Sequence, residues 1–147
     1  MDKQKQKILC VDDEPYNLVL LKAILSYQEY EVLLVTTGLE ALEKIRTEHI
    51  DICLLDVMMP NVNGFEVCRR IKSEEAHRAI PVILITSLSD IKYRILGIEA
   101  GAEDFISKPF ESAEILARIK MLLRVKSLNE ELEVSRASYR NIIERWG

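Results

Sequence analysis

Short apolar runs alternate five times with segments of helical periodicity along this chain. A short apolar run bounded by polar residues and flanked by helical segments is typical of a buried parallel strand. Strands that alternate with helices of about 10 to 15 residues form right-handed βαβ units around a parallel sheet. The sequence therefore predicts an α/β fold, a three-layer doubly wound domain with five parallel strands. The predicted strands are 7–11, 31–35, 51–55, 81–85 and 103–106, and the predicted helices between them are 15–28, 39–47, 64–73 and 90–100.

Two of the predicted strands run directly into aspartate: Asp12 and Asp13 follow the first, and Asp56 follows the third. Open α/β sheets bind ligands outside the carboxyl ends of their strands. Periodicity does not give the strand order, but among doubly wound folds of this size the flavodoxin-like order 2-1-3-4-5 places strands one and three side by side. The three carboxylates would then converge. Such a cluster needs a cation, and Mg²⁺ suits hard oxygen ligands.

Composition narrows the class of protein. The 147 residues carry a net charge of −4 with a pI of about 5.3, which argues against a dedicated nucleic-acid surface. Its apolar runs are far shorter than the roughly 20 residues of a membrane span. The three cysteines form no C-x-x-C pair and are expected to be buried, reduced thiols. We therefore expect a cytoplasmic protein that binds neither nucleic acid nor membrane directly.

The segment from residue 111 onward contains neither Gly nor Pro before Gly147, which predicts one long final helix. Ile115, Leu116 and Ile119 would cover the sheet. Further along, a heptad pattern favours a parallel dimeric coiled coil, although a long amphipathic helix folded back on its own domain would show similar periodicity. The predicted organisation is a domain at 5–124 and a coiled-coil linker at 125–147, leading toward an output domain beyond the sequence given. The heptad positions are Met121, Leu128, Ser135 and Ile142, alternating with Val125, Leu132, Tyr139 and Trp146.

Polar motifs at four strand ends occur in a fixed order. They are Asp12-Asp13, then Asp56 with Met59-Pro60 and Gly64, then Thr86-Ser87, and finally Lys108-Pro109. Each motif is weak alone. Together, over about residues 5–124, they resemble the receiver domain of two-component response regulators.

This resemblance implies a role for each acidic residue. Asp56 would be the phosphoryl acceptor. Asp13 and Asp56 would contact Mg²⁺ directly, Asp12 would act mainly through water, and the backbone carbonyl of Met58 would be a further ligand. Charge neutralisation matters because a carboxylate is repelled by a phosphoryl group that bears negative oxygens.

The resemblance also implies a switch. Lys108 would pair with Asp56 and then with the phosphoryl oxygens, after a cis Lys108-Pro109 bond. Thr86 would donate its hydroxyl to a phosphoryl oxygen. Phe105 would turn inward as Thr86 moves, and the surface of helix four, strand five and helix five would repack.

Taken singly, these residues have simpler interpretations. Asp12 or Asp13 could cap the first helix, and Thr86 or Ser87 could cap the fourth. Phe105 could be a core aromatic and Lys108 a solvated loop lysine. Asp56 is harder to explain in this way, because the apolar residues Val57-Met58-Met59 follow it.

The expected function is a phosphorylation switch that accepts a phosphoryl group from a histidine kinase or a histidine phosphotransfer protein. The domain would catalyse its own modification with Mg²⁺ but turn over no metabolite. Met58 and Leu88, two residues beyond Asp56 and Thr86, are apolar and would not orient an attacking water, so loss of the phosphoryl group should be slow.

Two other classes of function remain open. A phosphohydrolase of the haloacid dehalogenase type also uses an aspartyl phosphate, but it needs a second acid where Met58 stands. A phosphate-independent interaction module would use only the helix, and failure to bind the phosphoryl mimic beryllofluoride would favour it.

Overall fold

The computed structural model describes residues 5–88 and 90–146, with the side chains of the second range described to residue 145. The Trp146 side chain of the predicted heptad pattern and Gly147 lie outside this description. The elements are β1 (Lys7–Val11), α1 (Pro15–Ser26), β2 (Glu31–Val35), α2 (Gly38–Thr47), β3 (Ile52–Asp56), α3 (Gly64–Ser73), β4 (Val82–Thr86), α4 (Ile91–Glu99), β5 (Asp104–Ser107) and α5 (Ser112–Trp146).

The described strands form one parallel sheet in the order β2-β1-β3-β4-β5. The predicted flavodoxin-like fold class is therefore confirmed. Strands β2 and β5 are the edge strands. Strands β1 and β3 are neighbours, and Val11 pairs with Leu55. This register brings the carboxyl ends of the two strands together.

The two faces of the sheet carry separate layers of core. Alternate β1 residues point to opposite layers, so Leu9 and Val11 lie in one cluster and Ile8 and Cys10 in the other. Helices α2 and α3 cover the first layer, and α1 and α5 cover the second. Both faces are apolar because both are covered, and each fully buried aliphatic side chain stabilises the fold by about 1.5–3 kcal/mol.

Helix α5 continues without interruption well beyond the sheet that it covers. Ile115 and Ile119 are fully buried against the sheet, and Leu116 packs there partly buried, as predicted. From residue 127 to residue 145, by contrast, every residue is exposed. The far half of the helix therefore does not fold back on its own domain.

No helix in the described part of the chain combines the length and hydropathy needed to cross a membrane.

Candidate functional site

Three carboxylates converge at the carboxyl ends of β1 and β3. Each of Asp12, Asp13 and Asp56 offers a carboxylate oxygen, and these oxygens lie within 4.8 Å of one another. Asp12 and Asp56 are only 2% and 3% exposed, and Asp13 is half-buried. Buried carboxylates this close repel one another unless a cation or a proton neutralises them. The pairing of β1 with β3 is what produces this cluster.

Asp12 uses its two carboxylate oxygens differently. Oδ1 accepts a hydrogen bond from the backbone N–H of Glu14 at 2.9 Å, and Oδ2 accepts one from Lys108 Nζ at 3.2 Å. Glu14 is the N-cap residue of α1, and Pro15 occupies the first helical turn. Asp12 therefore shapes the entry to α1 while one oxygen stays within the acidic cluster. The capping interpretation and the cluster interpretation are compatible for this residue.

Lys108 bridges two of the acids. Its Nζ lies 3.2 Å from Asp12 Oδ2 and 3.3 Å from Asp56 Oδ1. Its backbone N–H donates to the Thr86 carbonyl at 2.8 Å, and the Lys108-Pro109 bond is cis. Burial alone would lower the pKa of Lys108, but Asp56 and Asp12 together raise it above its usual range. The side chain is thus a permanent cation placed between two carboxylates, not a solvated loop lysine.

Asp56 ionises less readily than an ordinary aspartate. Burial and the Asp12 carboxylate raise its pKa to about 6, against the opposing effect of Lys108. A lysine alone leaves the cluster with excess negative charge. The donor set is made of carboxylate oxygens, which fits a hard divalent cation such as Mg²⁺.

The loop after β3 is held close to Asp56. The backbone N–H of Met58 donates to Asp56 Oδ1 at 3.4 Å, and the N–H of Gly64 donates to the Val57 carbonyl at 3.0 Å. A Cβ at Gly64 would lie 2.4 Å from the Asp56 carbonyl oxygen. Only glycine allows α3 to begin this near the acid. The Met58 side chain is exposed at the mouth of the site.

Thr86 lies at the end of β4 and is fully buried. Its hydroxyl oxygen accepts a hydrogen bond from the Leu88 N–H at 3.1 Å. Helix α4 is capped instead by Asp90, whose side chain accepts from the Lys92 N–H at 3.1 Å. Capping α4 is therefore not the role of Thr86, which directly follows Ile85, the β4 residue that pairs with Asp56.

Phe105 is half-buried on the edge strand β5, where it pairs with Leu84 and packs against the core. The guanidinium of Arg94 on α4 lies 5.8 Å from the centre of its ring. The ring therefore lies between the core and the surface of α4.

Sequence reasoning missed a groove beside Lys108. It has a volume of about 480 Å³. The available signal was the pair Tyr16 and Leu20, one helical turn apart and exposed on a helix whose opposite face is buried. Lys108 lines this groove and contacts Asp12 and Asp56, so the groove lies beside the acidic cluster. The residues lining it are Tyr16, Asn17, Leu20, Ser87, Lys108, Pro109 and Phe110.

Comparison with known families and proteins agrees with this geometry. The profile of the family described as response regulator receiver domain matches residues 8–120. Response regulator PleD of Caulobacter vibrioides is 43% identical over 136 residues, which is 92% of this chain. The matched region spans only 30% of the length of PleD.

Solved structures share the fold. A response regulator receiver domain protein from Methanospirillum hungatei superposes with a TM-score of 0.81 at 28% identity, covering 86% of this chain and 99% of that one. The receiver domain of the sensor histidine kinase PA1611 from Pseudomonas aeruginosa gives 0.76 at 30% identity, with coverage of 82% and 98%. That structure contains a magnesium ion coordinated in its active-site cleft.

Proposed function

Because the chain belongs to the response regulator receiver family, as the match over residues 8–120 shows, we propose that it is a signalling switch operated by phosphorylation of Asp56. The observation that carries the proposal is the contact of Asp56 with Lys108 at 3.3 Å within a buried acidic cluster. Asp56 has a carboxylate oxygen at the open end of the sheet and a fixed cation beside it. These are the requirements of a nucleophile that attacks an anionic phosphorus.

The cluster is proposed to bind Mg²⁺. Asp13 and Asp56 would hold the ion directly, Asp12 mainly through water, and the Met58 carbonyl would add a further oxygen ligand. When bound, Mg²⁺ would neutralise charge on the phosphoryl oxygens and on the carboxylates. The hard-oxygen donor set and the raised pKa of Asp56 support this assignment.

The transfer itself would use three side chains. An Asp56 oxygen attacks phosphorus as the P–N bond of a phosphohistidine breaks, and the departing imidazole keeps the electron pair. Lys108, already placed between Asp12 and Asp56, stabilises the charge that moves onto the phosphoryl oxygens. Thr86 exchanges its contact with the Leu88 N–H for one in which its hydroxyl donates to the phosphoryl group.

The phosphoryl donor is proposed to be a histidine kinase or a histidine phosphotransfer protein. The groove between α1 and the loop after β5 would accommodate the donor helix that carries the histidine. Tyr16, Leu20 and Phe110 provide apolar contact there, and Lys108 lies in its wall. The cytoplasm is the proposed location, where the three free thiols would stay reduced.

The output is proposed to travel along α5. Movement of Thr86 would draw Phe105 inward from its place beneath Arg94, and the surface formed by α4, β5 and α5 would change. Residues 5–124 would be the receiver and 125–147 a linker that forms a homodimer and leads to an output domain.

The test is labelling with a small phosphoryl donor. Wild-type protein incubated with acetyl phosphate and Mg²⁺ should gain one phosphoryl group by intact mass, and Asp56→Asn should gain none. Asp90→Asn is the matched control, since asparagine caps α4 as well as aspartate does. The label should decay slowly, because neither Met58 nor Leu88 can orient an attacking water. Equal labelling of the Asp56 variant would refute the proposal.

A further inference from the structure

Helix α5 leaves the domain at Lys126. The ammonium of Lys126 lies 3.9 Å from Asp51 Oδ1 at the amino end of the sheet and 2.6 Å from Glu130 Oε1. Asp51 also accepts a hydrogen bond from the Lys7 N–H at 2.8 Å, so this contact ties the helix to the start of β1. Beyond it, residues 127–145 are all exposed.

An apolar stripe runs along this exposed part of α5. Leu128 and Leu132 are 55% and 47% exposed. Helices obtain most of their stability from packing an apolar face, and contiguous exposed apolar surface marks an interaction site. In heptad notation, position a is occupied by Val125, Leu132 and Tyr139, and position d by Met121, Leu128, Ser135 and Ile142.

We propose that a second copy of this chain covers the stripe as a parallel, in-register helix, and that Glu131 and Arg136 determine this pairing. The inference rests on the proposed α5 dimer and adds its register and the two residues that fix it. A β-branched residue at position a followed by leucine at position d, as in Val125 and Leu128, favours two parallel strands.

Charge complementarity supports the parallel arrangement. In a parallel pair, position g of one helix faces position e of the next heptad of its partner. Glu131 occupies g and Arg136 occupies e, so each helix offers the acid and the base that the other requires. Symmetry makes this contact twice. Arg136 already lies 3.6 Å from Glu133 in its own helix. In the dimer it would lie between that acid and Glu131 of the second copy, beside the seam formed by the a and d positions of the two helices.

The antiparallel alternative brings like charges together. Overlapping the full stripe in that direction sets Leu132 against Ser135 of the other helix. Positions g then face each other, which places Arg124 against Arg145. Like charges across a seam are a device that excludes a competing orientation.

Cysteine cross-linking tests the register. The three native cysteines are buried, so Leu128→Cys adds the accessible thiol in the full-length chain. Parallel pairing in register places two copies of residue 128 in one layer, and oxidation should give a disulfide-linked dimer. Ser127→Cys, at the neighbouring exposed c position, is the matched control and should cross-link far less.

A cross-link between Leu128→Cys and Tyr139→Cys chains, without one within Leu128→Cys, would show antiparallel pairing and overturn the proposal. So would a chain that stays monomeric by sedimentation both with and without beryllofluoride. Neither cross-linking nor sedimentation depends on labelling of Asp56. Failure of the phosphoacceptor assignment can therefore be distinguished from failure of the proposed helix pairing.

Charge reversal tests the pairing residues. Glu131→Arg and Arg136→Glu should each raise the dissociation constant of the dimer about tenfold, since two attractive contacts become repulsive. The double variant restores complementarity and should return close to wild type. A mixture of the two single variants should prefer heterodimers. Additive weakening in the double variant would show that Glu131 and Arg136 do not face each other.

Discussion

At the scale of single residues, the surroundings of Asp56 disfavour its ionised form. Burial and Asp12 raise its pKa to about 6, above the ordinary value of 3.8. The folded protein therefore binds a proton at Asp56 more tightly than the unfolded chain does. The stability that comes from this proton is complete below the unfolded pKa and is lost as the pH rises through 6. Burial of the ionised carboxylate and its repulsion by Asp12 are the physical source of that loss.

Asp56→Asn removes this pH dependence. Without divalent metal, we expect the variant to gain stability over wild type as the pH rises from about 5 to about 8, by roughly 1.4 kcal/mol, because about one unit of the pKa shift of Asp56 lies above pH 5. Urea unfolding in EDTA measures the difference, and the other titrating groups cancel between the two proteins. Added Mg²⁺ should narrow the gap because it binds the wild-type carboxylates. A difference that stays constant with pH would contradict the assigned pKa.

Among secondary-structure elements, the start of α3 is the most constrained position near the site. A Cβ on Gly64 would lie 2.4 Å from the Asp56 carbonyl oxygen and 2.8 Å from the Val57 Cα. Both atoms belong to the backbone at the end of β3. An alanine at position 64 would therefore fit only if α3 moved away from Asp56. Rotation of a side chain would not relieve the contact.

Gly64→Ala is therefore expected to cost about 1–3 kcal/mol of unfolding free energy and to weaken Mg²⁺ binding. Gly97→Ala is a matched control in the middle of α4. Its nearest atom is a leucine methyl, Leu84 Cδ1 at 3.0 Å, and alanine favours the helix by up to about 1 kcal/mol. Chemical denaturation and a metal titration of both variants give the comparison. Equal stability losses would mean that the backbone contact is not limiting.

The strands and helices could be predicted from the sequence where a single local pattern, such as an apolar run or a helix cap, determines them. Apolar runs covered on both faces identified every strand of the described sheet, yet β3, β4 and β5 each begin and end one residue later than predicted. Pro81 cannot donate to a strand ladder, which moves the start of β4 to Val82. The start of α2 at Gly38 follows from Thr37, whose side chain accepts from the Glu40 N–H at 3.1 Å. Threonine followed three residues later by glutamate is a capping pattern that the sequence carries.

The site was predictable only in part. Convergence of Asp12 and Asp56 follows from strand ends once the order of strands is given, and that order came from the doubly wound folds known at this size, not from periodicity. The contact of Lys108 with both acids joins residues up to 96 positions apart, so no local pattern encodes it. The groove beside Lys108 was missed because its walls come from α1 and from the loops after β4 and β5.

At the scale of the whole molecule, one helix belongs to two environments. Ile119 of α5 is fully buried against the sheet, and Leu128 of the same helix is exposed to solvent. A rigid α-helix carries a displacement at one end to the other, so a change in the receiver would alter the geometry of the seam. Linkage requires that such coupling act equally in both directions.

Reciprocity gives the last prediction. If beryllofluoride at Asp56 of both copies tightens the α5 dimer by some factor, dimerisation must strengthen beryllofluoride binding at each of the two sites by about the square root of that factor. Leu128→Asp combined with Leu132→Asp should abolish the dimer and weaken beryllofluoride binding by that square root, since both side chains are exposed and leave the receiver core intact. Ser127→Asp, outside the seam, should leave both constants unchanged. Calorimetric titration with Mg²⁺ and beryllofluoride, together with sedimentation of the dimer, measures the two factors. Equal beryllofluoride affinities in the dimeric and monomeric proteins would show that the seam and Asp56 are not coupled, and α5 would then hold two receivers together without reporting their state.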